Sequence, residues 1–160
     1  MSIHHLTVPT IRQIDSSQIL TSPISVIKEL VENSLDAGAS NIEVQIHSNT
    51  LDQIEVRDNG HGIPCEDYPM VAGRHCTSKL IDYADLNSIG SKSLGFRGEA
   101  LASIAELSGK LTIITKVQGQ LTATELHIKQ NGALERQAIL PQEQLKAANS
   151  IQAHVRCLIL

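Results

Sequence analysis

The sequence predicts an α+β, two-layer sandwich, with helices on one face of a mixed, mostly antiparallel sheet. Three observations predict it. Two stretches, 23–37 and about 96–107, carry apolar residues at helical spacing, whereas 42–46, 54–58, 110–117, 121–129 and 151–159 show strand-like patterning. The strand stretches come largely in adjacent pairs with turn residues between them, as expected of hairpins. The order is helix, hairpin, loop, helix, hairpin, strand, which groups the strands instead of alternating them one by one with helices.

Residues 23–37 (PISVIKELVENSLDA) open with Ser22 as a cap and Pro23 at the first helical position, and Gly38 supplies the stop. Ile24, Ile27, Leu30, Val31, Ser34 and Leu35 form the expected apolar stripe, and Glu29, Asn33 and Asp36 fall together on the other side. Ile42, Val44 and Ile46 alternate, as do Ile54, Val56 and Asp58, and Ser48-Asn49 marks the turn between them. The second strand runs into DNGHGI, a glycine-rich bend. A short helix is expected around Glu66 to Gly73, interrupted by Pro69, and residues 74–95 read as a long loop rich in Ser, Gly, Asp and Asn. After the 96–107 helix, Lys110–Val117 and Leu121–Lys129 form a hairpin about Gln118-Gly119, and Asn131-Gly132 signals another turn. Residues 133–140 are a candidate strand, 142–149 a short helix, and the alternation from Ile151 to Ile159 a last strand.

Composition narrows the function. The chain has 160 residues, 41% of them apolar, enough for one domain with a real core and too apolar for a disordered tail. No apolar run approaches a membrane span, and the first fifteen residues lack the apolar stretch of a secretory leader. Cys65, Cys76 and Cys157 are an odd number without a CxxC pair, which disfavours a disulfide framework or a zinc knuckle. The seven histidines are scattered without ligand spacing. The three aromatics, Tyr68, Tyr83 and Phe96, disfavour a nucleic-acid reader built on stacking. Residues 1–60 hold eight acids and three bases and the remainder nine and ten, giving a net charge of -4 and no basic stripe for direct DNA binding.

Four short motifs carry chemistry. Glu29 and Asn33 are one helical turn apart, so a carboxylate able to act as a general base sits beside an amide oxygen able to hold a hard cation. Alone, such a pair is usually solvated surface. Asp58 shares the parity of Ile54 and Val56 and so points to the buried face, where a carboxylate needs a partner such as the exocyclic amine of adenine. Gly60 and Gly62 let a flat ligand approach the backbone. Gly95-Phe96-Arg97-Gly98 leads into a helix, whose exposed N–H groups suit a phosphate. Thr77-Ser78-Lys79 offers two hydroxyls and an ammonium. There is no GxxxxGK[ST], so this is not a P-loop enzyme.

Together KELVENSLDAGA (28–39), IEVRDNGHGI (54–63), HCTSKL (75–80) and GFRGEALASIAELS (95–108) resemble the MutL mismatch-repair family, from about Val8 to about Val117. Its superfamily, with gyrase B subunits, large heat-shock chaperones and sensor histidine kinases, shares the Bergerat ATP-binding fold. The wording of the motifs looks most like the eukaryotic postmeiotic-segregation branch.

The resemblance implies a function: binding Mg-ATP and hydrolysing it as the N-terminal module of a mismatch-repair protein, with a binding-only module as the alternative. It implies Glu29 as the general base and Asn33 as the Mg2+ ligand. Asp58 would read the adenine amine, and Gly60, Gly62 and Ile63 would line the adenine pocket. Thr77, Ser78 and Lys79 would lie in a mobile lid spanning about 74–98, and Gly95, Phe96, Arg97 and Gly98 would wrap the triphosphate. Asp36 and Arg57 would support the site.

It further implies a MutL-homologue partner subunit, mismatch-recognition proteins, mismatched DNA only indirectly, no membrane, and a nuclear location. The sequence departs from the family in NSIGSKSL before GFRGEAL, which is slightly long, and in Ser150-Ile151, where relatives have Gly-Thr before a strand. The chain is expected to be one ATP-binding domain, truncated before the family's second domain and C-terminal dimerisation region.

Overall fold

The computed structural model describes residues 4–5, 23–46, 53–77, 99–141 and 149–155. In chain order these form β1 (His4–His5), α1 (Pro23–Asp36), β2 (Ile42–Ile46), β3 (Ile54–Asp58), a 3-10 turn (Cys65–Met70), β4 (Cys76–Thr77), α2 (Ala100–Leu107), β5 (Ser108–Thr115), β6 (Ala123–Ile128), β7 (Leu134–Leu140) and β8 (Asn149–Val155).

The main sheet has six strands in the order β2-β3-β8-β5-β6-β7, and β1 pairs with β4 separately. The chain's last described strand thus lies in the middle, between β3 and β5. Every pairing among the described residues is antiparallel, with no parallel pair of the kind a mixed sheet would contain. The stretch in which Ser150-Ile151 replaces Gly-Thr still forms a strand: Ile151 pairs with Val56 on one side and Ile113 on the other.

Alternation decides which face of the sheet is covered. Ile54 and Val56 of β3, Leu111 and Ile113 of β5, and Leu126 and Ile128 of β6 are buried in one cluster with Val26 and Leu30 of α1 and Ile104 and Ala105 of α2. Both helices therefore lie on this face, α1 over β3 and α2 over β5 and β8. With one aromatic in the cluster, Tyr68, the core is built from aliphatic side chains.

The buried side of α1 differs from the expected stripe. Val26, Leu30 and Ser34 are buried, while Ile24 and Leu35 are exposed. Three residues one turn apart dominate the contact, so Ile24 and Leu35 fall outside the arc that reaches the sheet. Glu29 and Asn33 are consequently on the flank of the buried arc, half-buried, and not on the far side of the helix.

Gly38 ends the helix at φ +72°, donating to the Leu35 carbonyl at 2.9 Å while Ala39 donates to Ser34 at 3.1 Å, a Schellman closure. The expected helix near 66–73 is a 3-10 turn around Pro69, a residue with no N–H to donate to an α-helical ladder. Cys76 and Thr77, expected in a loop, pair with His5 and His4, a strand pair too short for periodicity to reveal. The 96–107 helix is α-helical from Ala100, β5 follows it directly at Ser108, and β8 starts at Asn149 within the stretch expected to be helical. The expected helix over 142–148 and the end of the strand beyond Val155 lie outside the described residues.

Candidate functional site

The end of β3 is stitched to the end of α1. Asp58 is the last residue of β3, and its parity with Ile54 and Val56 turns it to the covered face. Its two oxygens are both used. Oδ1 accepts the Gly60 N–H at 2.8 Å, which closes the DNG bend on itself, and Oδ2 lies 3.0 Å from the Ser34 hydroxyl. The Leu30 carbonyl is also 3.1 Å from that hydroxyl, but a hydroxyl has one proton to give, and the carboxylate is the stronger acceptor. Ser34 follows Asn33, so this bond places the Glu29–Asn33 flank against the Asp58 carboxylate's strand.

Three further contacts complete the join. The His61 N–H donates to the Ala37 carbonyl at 3.0 Å. Asn59 Oδ1 accepts the N–H groups of Ser40 and Asn41, both at 2.9 Å, and its amide nitrogen donates to Ser40 Oγ at 2.9 Å. Gly60 presses so closely on Ala37 that a Cβ there would stand 2.8 Å from Ala37 Cβ and 2.9 Å from its carbonyl oxygen. Gly60 therefore serves the packing of the bend on the helix as well as access.

Beyond the bend, Gly62 takes a left-handed φ of +75°, and the chain crosses to the middle of the sheet. There the Ile63 N–H donates to Thr115 Oγ1 at 2.7 Å. Asp58 pairs with Asn149 and Ile114 with Ser150, so Thr115 and Asp58 flank the same position of β8 at one end of the sheet. Ser34, Asp58, the glycine bend and Thr115 thus frame one corner, with Glu29 and Asn33 on its helical side.

Of the residues singled out in the sequence, this corner gathers Asp58, Gly60, Gly62 and Ile63, with Glu29 and Asn33 on the adjoining helix flank. Thr77 is placed by its backbone in β4. Ser78, Lys79, Gly95, Phe96, Arg97 and Gly98 lie outside the described residues, as does most of the expected lid. Arg57 is not where it was expected. It is on the opposite face of the sheet, 2.8 Å from Glu55 and 3.8 Å from Glu43, because its parity is opposite to that of Asp58. Hydrogen bonding to Glu55 raises its pKa further above the ordinary guanidinium range. Lys28 is likewise raised, chiefly by its hydrogen bond to Glu32 on the outer side of α1.

Ser34 and Thr115 are the residues that sequence reasoning did not single out for the site. Each is a buried hydroxyl among apolar neighbours of the same parity or helical face, and such a group needs a partner. That requirement is the signal that points to both.

A profile described as histidine kinase-, DNA gyrase B- and HSP90-like ATPase matches residues 21–155. The chain belongs to this ATPase family. Within it, the resemblance to the N-terminal ATPase region of MutL proteins stands. The chain is 49% identical over 117 residues to the DNA mismatch repair protein MutL of Halothermothrix orenii, covering 73% of this chain and 18% of that protein. It is 45% identical over 127 residues to MutL of Haemophilus influenzae, covering 79% of this chain and 20% of that protein. It therefore spans about a fifth of the length of these curated relatives.

Among solved structures, the Aquifex aeolicus MutL ATPase domain complexed with ADP superposes with a TM-score of 0.56 at 25% identity, over 85% of this chain and 43% of that one. The N-terminal domain of a DNA repair protein superposes at 0.67 with 30% identity, over 90% and 38%. The ATPase region of Saccharomyces cerevisiae topoisomerase II, at 0.61 and 15% identity over 82% of this chain and 37% of that one, shares the fold. A two-layer Bergerat sandwich is thus the architecture of this family member.

Proposed function

We propose that the chain binds Mg-ATP at the Asp58 corner and hydrolyses it, as the ATPase module of a MutL-like mismatch-repair protein. The observation that carries this is the Asp58 carboxylate, fixed by Ser34 and Gly60 at the covered end of β3 beside the Glu29–Asn33 flank. A carboxylate held so can accept the amine of adenine, and the glycine bend next to it lets the ring approach the main chain.

The donor set suits a magnesium ion that arrives with its phosphates. Asn33 offers one neutral oxygen, and among the described residues no group of three or more His, Cys, Asp or Glu side chains could cage a cation. Mg2+ held by phosphate and water oxygens with a single protein oxygen fits that arrangement. When bound, the ion supplies charge neutralisation at the phosphates. Glu29, one turn before Asn33, orients water and takes its proton during attack on the terminal phosphate. We place Thr77, Ser78, Lys79, Gly95, Phe96, Arg97 and Gly98 around the phosphates on the strength of the motifs they belong to. A partner subunit of the same family, mismatch-recognition proteins and nuclear residence are part of this proposal through the family likeness. The postmeiotic-segregation branch rests on motif wording.

Turnover of Mg-ATP by the chain and by its Glu29→Ala variant tests the reading. Hydrolysis by the parent and loss of it in the variant, with nucleotide binding retained in both, is the expected result. Equal, background turnover in two proteins that both bind nucleotide makes this a binding module instead.

A further inference from the structure

At the opening of α2, Glu99 occupies the cap position but its side chain makes no capping bond to the helix. Its carbonyl instead accepts the Ser103 N–H at 2.8 Å, and its carboxylate is drawn sideways. Oε2 lies 3.4 Å from an Arg74 guanidinium nitrogen, and the buried Oε1 lies 2.8 Å from His75 Nδ1. Oε1 accepts no hydrogen bond, so this second contact is a close approach of the ring and not a directed hydrogen bond. Arg74 is itself held in place by a two-pronged pair with Glu106, in the last turn of α2. His75 reaches Glu99 from a left-handed backbone, φ +58°, a conformation costly for a residue with a Cβ.

A free carboxylate at a helix start competes with any other anion for the same N–H groups and the same end of the helix dipole. This helix start directly follows Gly98, in the glycine-bearing segment whose chemistry suits phosphate. We propose that Arg74 and His75 sequester the Glu99 carboxylate, so that the N-terminus of α2 is left to the phosphates of the nucleotide. Arg74 and His75 are then positioning residues: they act through Glu99 and touch no ligand. The inference rests on reading the chain as a nucleotide-binding domain and adds what tunes its phosphate end.

The test is calorimetric titration of the parent chain, Arg74→Ala, Glu99→Gln and the double variant with a non-hydrolysable ATP analogue and Mg2+, with adenosine as the phosphate-free reference by competition. Releasing the carboxylate weakens analogue binding about five- to tenfold in Arg74→Ala, in line with charge effects at a helix end, and leaves adenosine unchanged. In the double variant no carboxylate remains to be sequestered, so affinity returns to that of Glu99→Gln. A merely structural tie predicts the opposite, a loss that persists in the double variant and extends to adenosine. Thermal unfolding checks each protein, and Arg74→Gln replaces the alanine variant if the latter does not fold. No loss in a folded Arg74 variant, or a loss that Glu99→Gln fails to relieve, overturns the inference alone. A folded parent chain that binds no analogue overturns the nucleotide reading and this inference with it.

Discussion

The Ser34 hydroxyl and the Asp58 carboxylate meet at 3.0 Å, across the seam between the first long helix and the end of its neighbouring strand. The bond has two consequences. It gives a buried hydroxyl its partner, and it fixes the carboxylate in the orientation that leaves the DNG bend closed. Ser34→Ala removes the donor and leaves the carboxylate short of one bond in a half-buried place. Loss of about 1–3 kcal/mol of stability is expected, together with weaker nucleotide binding. Denaturant unfolding of parent and variant measures the first, and titration the second. Ser34→Thr, which keeps the hydroxyl, should lose less.

Gly60 admits no side chain. An added Cβ would stand 2.8 Å from Ala37 Cβ and 2.9 Å from the Ala37 carbonyl oxygen, and the backbone oxygen cannot swing away without breaking its bond from the His61 N–H. Gly60→Ala is expected to lower stability by about 1–3 kcal/mol, as overpacking does, and to open the bend under Asp58. Ala37→Gly in the same chain removes one of the two collisions. Partial recovery of the melting temperature in the double variant is the expected outcome, and full recovery would show that the backbone contact does not matter.

Thr115 is a buried acceptor for the Ile63 N–H at 2.7 Å. Thr115→Val keeps the shape and leaves that N–H without its partner, at a cost of about 1–3 kcal/mol. Thr115→Ser keeps the oxygen and costs mainly a methyl group. Nucleotide affinity should therefore fall in the valine variant and hold in the serine one. The reverse order would mean that the methyl contact, and not the hydroxyl, positions Ile63.

Much of the fold can be read along the chain because its signals are local. The Pro23 start and Gly38 stop bound the helix to within a residue, and the parity of Ile54, Val56 and Asp58 shows which way the carboxylate faces. What could not be read depends on contacts distant in sequence. That β8 inserts between β3 and β5 is decided by pairings distant in sequence, Ile151 with Val56 on one side and with Ile113 on the other, and alternation within 151–159 carries no trace of it. The pairing of Ser34 with Asp58 and of Ile63 with Thr115 likewise joins residues 24 and 52 positions apart. Arg57, given a supporting role by the family resemblance alone, pairs with Glu55 and Glu43 on the opposite face, as its strand parity dictates, because successive strand residues face opposite ways.

The central claim is that the Asp58 corner and the Asn33 flank together hold a Mg-nucleotide. Calorimetric titration of the folded chain with a non-hydrolysable ATP analogue in the presence of Mg2+ tests it most directly. The parent chain is expected to bind at one site, and Asn33→Ala and Asp58→Ala, each verified as folded, are expected to abolish the heat of binding. A folded parent chain that shows no binding, or variants that bind as tightly as the parent, would contradict it.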